Sequence, residues 1–333
     1  MTDSSERVTA WSQMGERRRG HPEAASAGSL GGYLEGAADG SLSGNTVRAL
    51  RADLERFAAW CEERGFRPLP ADAGTVAAYV EAMSEDRAPA TVRRHVSSIA
   101  AAHRAAGERS PLEHAEVRRA LSRMRRRKGS RQEQVLGLTW QLRRRLIEAS
   151  GDRLIDIRNR AMLAVSYDAM LRRSELVALQ VVDVTLDRGG SASLLVRRAK
   201  NDPEGGGAVL YLHSDSVRLL KEWLAASGVS AGPLFRVVRK GGTLRGALHP
   251  GQVPRIYKAM ARRAGLAAEV VRRLSGHSPR VGAAQDMIAS GIELPAIMQA
   301  GRWRSVRMVQ RYGERLLAKH NGAAQLARLQ KRS

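Results

Sequence analysis

Between Arg118 and Arg131 the chain carries eight basic residues (Arg118, Arg119, Arg123, Arg125, Arg126, Arg127, Lys128 and Arg131) and no acidic one. A run of one sign stays in solvent, and this one ends in Gly129 and Ser130, so it divides the chain into two folding parts. Two readings are open for it: a solvated tether between domains, or a segment laid along a polyanion. The whole chain favours the second, because 56 Lys plus Arg stand against 33 Asp plus Glu, a net charge of +23 over 333 residues. Such a surface draws nucleic acid ahead of other partners. With 43% hydrophobic and 27% charged residues the chain has the balance of a folding protein. No apolar run approaches the roughly 20 residues that a membrane helix needs. We therefore expect a soluble, intracellular protein with no membrane partner. The single cysteine, Cys61, excludes an internal disulfide and offers no metal pattern; beside Trp60 it reads as core.

Residues 1 to about 27 are polar, Ser-rich and aperiodic and read as a flexible arm. From 28 to 124 apolar residues recur at helical spacing. Val47, Leu50, Leu54, Phe57, Ala58 and Cys61 form one stripe, and Val76, Tyr79, Val80 and Met83 a second after the Pro68/Pro70 turn. A third, starting near Thr91, holds Val92, Val96, Ile99 and His103, and a fourth helix covers Leu112 to Met124. This is an all-α module, followed by the basic linker at 125–133. Residues 134–333 read as a mixed, mostly helical domain with a small antiparallel sheet. Leu142, Leu146 and the stretch Ile157 to Tyr167 are helical, and Ser193 to Arg197 and Val209 to Leu212 form a hairpin around Asn201 to Gly207. Further helices are expected at about 215–226, 252–264, 281–290, 294–300 and 305–311, and an amphipathic one from Leu316 to Leu329. The fold class is mainly α.

Six residues of the second domain carry chemistry as a set: Arg172, Lys200, His277, Arg280, Trp303 and Tyr312. Attack of a tyrosine hydroxyl on a phosphodiester builds negative charge on phosphorus and expels an alkoxide. Arginine meets the first need with a planar fork that stays charged, and a titratable lysine meets the second by giving a proton to the leaving oxygen. The tyrosine, with an ordinary pKa of about 10, needs a partner at neutral pH. Arg172 lies between two apolar segments with Glu175 three residues on as a brace; taken singly, the pair is equally an exposed i,i+3 ion pair. Lys200 sits at the mouth of the hairpin turn, where a lone lysine is usually only solvated. His277 and Arg280 flank Pro279 at a helix start, a place suited to anions. Trp303 offers one N–H or plain packing. Tyr312 follows the short helix Val306 to Arg311 and stands beside Gly313, as rim tyrosines often do.

Taken together, the set resembles the tyrosine recombinases of the phage integrase family, on Ser275-Gly276-His277-Ser278, Val281-Gly282-Ala283-Ala284 and Ile297-Met298-Gln299-Ala300-Gly301 as well as the six residues. The likeness covers roughly residues 40 to 333 and is strongest after 155. It implies a core-binding domain and a catalytic domain that form a C-shaped clamp on duplex DNA. Arg172 and Arg280 then bind the scissile phosphate, Glu175 braces, Lys200 is the general acid, His277 takes the histidine role, Trp303 a position that is His in many relatives, and Tyr312 the nucleophile. Four protomers on two inverted-repeat sites would exchange strands through a Holliday junction, the last helix docking on the next protomer. The resemblance further implies a cytoplasmic protein of a bacterial nucleoid or a phage, with no cofactor and no metal. Two departures stand out: Met170 where many relatives have Gly, and Arg302 where Gly is usual, an extra charge for DNA or a neighbouring subunit.

For DNA contact the chain offers Arg93 and Arg94 with Ser97 and Ser98, the basic residues Arg118, Arg119, Arg125, Arg126, Arg127 and Lys128, and Gln252, Arg255 and Lys258. Two competing readings remain at this point. A type IB topoisomerase would relax supercoils with the same chemistry and no synapsis. A non-catalytic DNA-binding protein would explain the charge but not the ordered cations and tyrosine.

Overall fold

A computed structural model describes residues 44–129, 134–197, 206–318, 321–330 and 332. The chain divides into two compact units, within residues 1–132 and 133–333. The arm expected at 1–27 and the hairpin turn with Lys200 lie outside the described residues.

The described residues of the first unit form four α-helices: α1 (Gly44–Glu62), α2 (Ala73–Asp86), α3 (Pro89–Ala105) and α4 (Ala115–Lys128). Their starts have local causes. Asp72 takes the Thr75 N–H at 2.6 Å to cap α2, and Pro89 opens α3, where its missing N–H is not needed. The stripes read from the sequence meet in one core of Leu54, Phe57, Cys61, Val76, Val80, Val92, Val96, Ile99, Val117, Ala120 and Met124. Tyr79 is buried there with its ring centroid 4.9 Å from that of Phe57. Helix α4 runs past the expected end at Met124 to Lys128, so residues 125–128 are helical rather than linker. Cations suit the negative end of a helix, and here Arg127 reaches Ser84 while Lys128 Nζ donates to the Glu85 and Arg87 carbonyls at 2.8 and 3.1 Å.

In the second unit α5 (Trp140–Glu148), α6 (Leu154–Asp168) and α7 (Arg173–Ala178) precede an antiparallel sheet of β1 (Val184–Leu186), β2 (Ala192–Val196) and β3 (Ala208–Leu212). Leu194 pairs with Leu210. Alternation along the strands turns Ala192, Leu194, Val196, Leu210 and Leu212 inward and Leu195, Val209 and Tyr211 outward. Then come α8 (Ser214–Ser227), a hairpin of β4 (Arg236–Val238) and β5 (Leu244–Ala247), α9 (Val253–Arg263), α10 (Ala268–Arg273), α11 (Ser278–Ala289), α12 (Leu294–Gly301), α13 (Val306–Ala318) and α14 (Gly322–Leu329). The elements α7, α10, β1, β4 and β5 were not expected, because three to six residues are too few to show a period. Helix α6 is buried along most of its length and packs with α8 and the sheet in one core around Leu163, Leu194, Leu220 and Trp223.

A second, smaller cluster in this unit gathers Met170, Ala283, Ala284, Ile288, Ile297, Trp303 and Val309 from α11, α12, α13 and the turn after α6. Gly282 lets the segment just before α5 lie close against α11, since a Cβ there would overlap the Leu138 carbonyl. The single helix expected from Leu316 to Leu329 is two: Leu316 and Leu317 belong to α13 and pack on this cluster, whereas Leu326 and Leu329 on α14 are 48% and 82% exposed.

Candidate active site

The turn after α6 sets the first arginine. Met170, in the left-handed region at φ 46°, reverses the chain there, and its fully buried side chain offsets the strain that a Cβ meets at such a φ. Glu175, in the first turn of α7, takes the backbone N–H of Arg172 at 2.9 Å and its Nη1 at 2.7 Å. The exposed ion pair left open by spacing alone is thus a buried brace, with Glu175 only 3% and Arg172 19% exposed in their side chains. Burial works to raise the Glu175 pKa, but the Arg172 N–H, Arg302 and the Arg172 guanidinium together hold it below the usual carboxylate range.

Arg280, in the first turn of α11, is 1% exposed. Its Nη1 donates to the Met170 carbonyl at 2.5 Å and its Nη2 to the Gly301 carbonyl, so the guanidinium ties α11 to the strained turn and to the end of α12. Burial, with Arg172 and Arg302 nearby, lowers its pKa to about 10, which leaves it charged at neutral pH. The guanidinium lies over the Trp303 ring, 4.9 Å from its centroid. That ring, in turn, is 5.3 Å from the ring of Tyr312. Gly301 has no room for a side chain because a Cβ would overlap the Trp303 ring.

His277 stands at the N-terminal end of α11, its Nε2 2.9 Å from the Tyr312 hydroxyl. Burial, and then the neighbouring Arg280 and Arg172, push its pKa down to about 4, so the imidazole is neutral at pH 7 and able to take a proton. Tyr312 is not past the end of a helix as its neighbour Gly313 had implied; it lies inside α13. Gly313 serves packing instead, since a Cβ there would overlap Ile288 of α11. The hydroxyl is therefore presented from a rigid element, steadied also by Gln285, which donates to the Tyr312 carbonyl at 3.2 Å.

Of the seven expected site residues the fold gathers Arg172, Glu175, His277, Arg280, Trp303 and Tyr312, while Lys200 lies outside the described residues. Arg302, expected as an extra charge for DNA or a neighbouring subunit, instead turns inward and bonds to Glu175 Oε2 at 2.7 Å, its side chain 13% exposed. Sequence reasoning also missed the clasp of Tyr167 and the Trp140 N–H on Asp286, which joins α5 and α6 to α11. Among the residues proposed for DNA, Arg93, Arg118, Arg119, Arg125, Arg126 and Arg255 are exposed and Lys258 is half-buried. Arg94 is half-exposed but bonded to Asp53 at 2.5 Å, and Arg127 and Lys128 are bonded to α2 and its end as described. Ser98 faces inward, 2% exposed, because its hydroxyl serves Asp53.

Residues 138–317 match the model of the phage integrase family. An integrase/recombinase XerD homologue of Selenomonas ruminantium is 32% identical over 287 residues, 82% of each chain. The recombinase Cre of Escherichia phage P1 is 31% identical over 290 residues, 82% of this chain and 84% of the relative. Among solved structures, a lambda integrase tetramer bound to a Holliday junction superposes with a TM-score of 0.61 at 15% identity, covering 92% of this chain and 85% of that one. XerH recombinase in a post-cleavage complex with palindromic difH substrate has a TM-score of 0.61, also at 15% identity, covering 86% of this chain and 80% of that one. At that identity the likeness is one of fold. No helix among the described residues is long and apolar enough to cross a membrane.

Proposed function

The chain belongs to the phage integrase family of tyrosine recombinases, and from that premise we propose that it is a site-specific recombinase whose nucleophile is Tyr312. The observation that carries this reading is the 2.9 Å approach of the Tyr312 hydroxyl to a neutral His277, beside two braced arginines. Tyr312 Oη attacks the scissile phosphorus and its proton passes to His277 Nε2. Arg172 and Arg280 bind the non-bridging oxygens and stabilise the charge that grows on them. The bond from phosphorus to the 5′ oxygen breaks, leaving a 3′-phosphotyrosyl link and a 5′-hydroxyl whose proton comes from Lys200, a role that rests on the family resemblance. The free hydroxyl of one strand then attacks the phosphotyrosine of another. Trp303 supports the site by packing, its ring in tilted contact with that of Tyr312 and covered by the Arg280 guanidinium.

The partner in this reading is double-stranded DNA with inverted-repeat sites, bound by the helical first unit and by the basic residues of α4 and α9, with four protomers on two sites. Exposed Leu326 and Leu329 give α14 an apolar face for the neighbouring protomer. The named relatives are recombinases, which favours strand exchange over topoisomerase-like relaxation or non-catalytic binding. The test is a nicked suicide duplex carrying the cognate site. Wild-type protein is expected to form a covalent protein–DNA adduct, and Tyr312→Phe to form none. An adduct retained by the mutant removes Tyr312 from its role, and a wild type that forms none on its cognate site removes the catalytic reading.

A further inference from the structure

Arg302 is unaccounted for by the chemistry above. It follows Gly301 at φ 50°, a left-handed conformation in which glycine is at ease and arginine is not. Its Nη2 reaches Glu175 Oε2 at 2.7 Å and lies 3.4 Å from the Met170 carbonyl. Its Nε and Nη1 are buried without a hydrogen-bond partner. A backbone strain and two unmet donors are both unfavourable, and the contact that holds the side chain in place is the carboxylate of Glu175. That carboxylate is divided: Oε1 faces the Arg172 guanidinium, and Oε2 is shared by the Arg172 N–H and Arg302.

Resting on the recombinase reading, we infer that Arg302 is a positioning residue for DNA cleavage, which holds Glu175 through Oε2 so that Oε1 presents the Arg172 guanidinium to the scissile phosphate. Two consequences follow from its place. Without Arg302, Oε2 keeps only the backbone N–H, and the carboxylate is freer to turn away from Arg172. The site also loses a cation, because three guanidiniums (Arg172, Arg280 and Arg302) surround one carboxylate and the third offsets the charge that Glu175 would otherwise take from Arg172. The nearby positive charge keeps Glu175 ionised as well, against the burial that would protonate it.

Arg302→Gly is a suitable variant because glycine accepts φ 50°, so relief of backbone strain offsets part of the ion pair lost with Glu175, and a folded variant with a modestly lower melting temperature is expected. The measurement is the single-turnover rate of the Tyr312 adduct on a nicked suicide duplex at saturating protein, from about pH 5 to about pH 8. Arg302→Gly is expected to slow adduct formation about tenfold, to move the acid limb of the profile upward, and to be partly rescued by Arg302→Lys. In a Glu175→Gln background the same substitution should change the rate less than about twofold, since the group it acts through is gone. An unchanged rate and pH profile overturns the inference. So does an equal loss in the Glu175→Gln background, which would mean that Arg302 acts directly or only through the fold. A wild type without adduct overturns the recombinase reading and this inference with it, whereas an adduct with uncoupled variants overturns this inference alone.

Discussion

Each unit of the protein buries a polar cluster, and the two differ in whether their charges close. In the first unit Asp53, 3% exposed, accepts Arg94 Nη1 at 2.5 Å and the Ser98 hydroxyl at 2.8 Å, and faces His95 Nε2 at 3.2 Å. His95 Nδ1 lies 3.0 Å from the Tyr79 hydroxyl. Burial, outweighing the pull of Asp53, lowers the His95 pKa, so among the directly bonded groups one carboxylate meets one guanidinium. In the second unit Arg172 and Arg302 both bond directly to Glu175, two guanidiniums on one carboxylate, and Arg280, held by two backbone carbonyls, adds a third cation nearby. Both clusters use the same residue types. A cluster whose charges and hydrogen bonds close is complete and holds helices together; one with surplus cations is open to an anion, which in the recombinase reading proposed above is the scissile phosphodiester.

The sharpest way to break this comparison is Arg280→Ala. Adduct formation is expected to fall roughly 10²- to 10³-fold, as when one donor to a charged transition state is removed, and the freed Met170 and Gly301 carbonyls should lower stability by about 1–3 kcal/mol. Single-turnover cleavage and urea unfolding measure the two effects, and wild-type cleavage would mean that the surplus charge has no catalytic use. Asp53→Ala is the counterpart. With Ser98 and His95 losing their acceptor, we expect a loss of about 2–4 kcal/mol in urea unfolding. Cleavage by the DNA-bound variant should stay within about twofold, and a collapse of that rate would give the closed cluster a part in catalysis.

The smallest effect concerns pH. His277 has a folded pKa of about 4 against about 6.5 in an unfolded chain, so the unfolded state binds the proton first as pH falls. Its contribution is fully present above about pH 6.5 and is lost as pH drops toward 4, on the order of 2 kcal/mol. Urea midpoints of wild type and His277→Asn at about pH 7 and about pH 4.5 test this. The mutant should show the shallower pH dependence, and an identical slope would mean that His277 takes up its proton as readily in the folded protein as in the unfolded chain.

The amphipathic stripes of the first unit, the strands at 192–196 and 208–212, and the order from Arg172 to Tyr312 were legible in the chain, since each rests on neighbours in sequence or on recognisable phrasing. Other features were not. Ser98 lies within a stretch read as DNA-facing, yet its hydroxyl turns to Asp53, 45 residues away. Tyr312 beside Gly313 reads as a helix exit, yet the glycine exists for contact between α11 and α13. Met170 and Arg302 occupy left-handed positions that no glycine announces. The bond from Arg302 to Glu175 joins residues 127 positions apart. By itself, then, the sequence determined most of the longer helices, the border near the basic run, the net charge and the kinds of group available for phosphate chemistry, because local periodicity and composition are properties of the chain. Only the tertiary structure decided which arginines share the carboxylate, that His277 is neutral, and which way Arg302 points, because burial and pairing across distant segments set those energies.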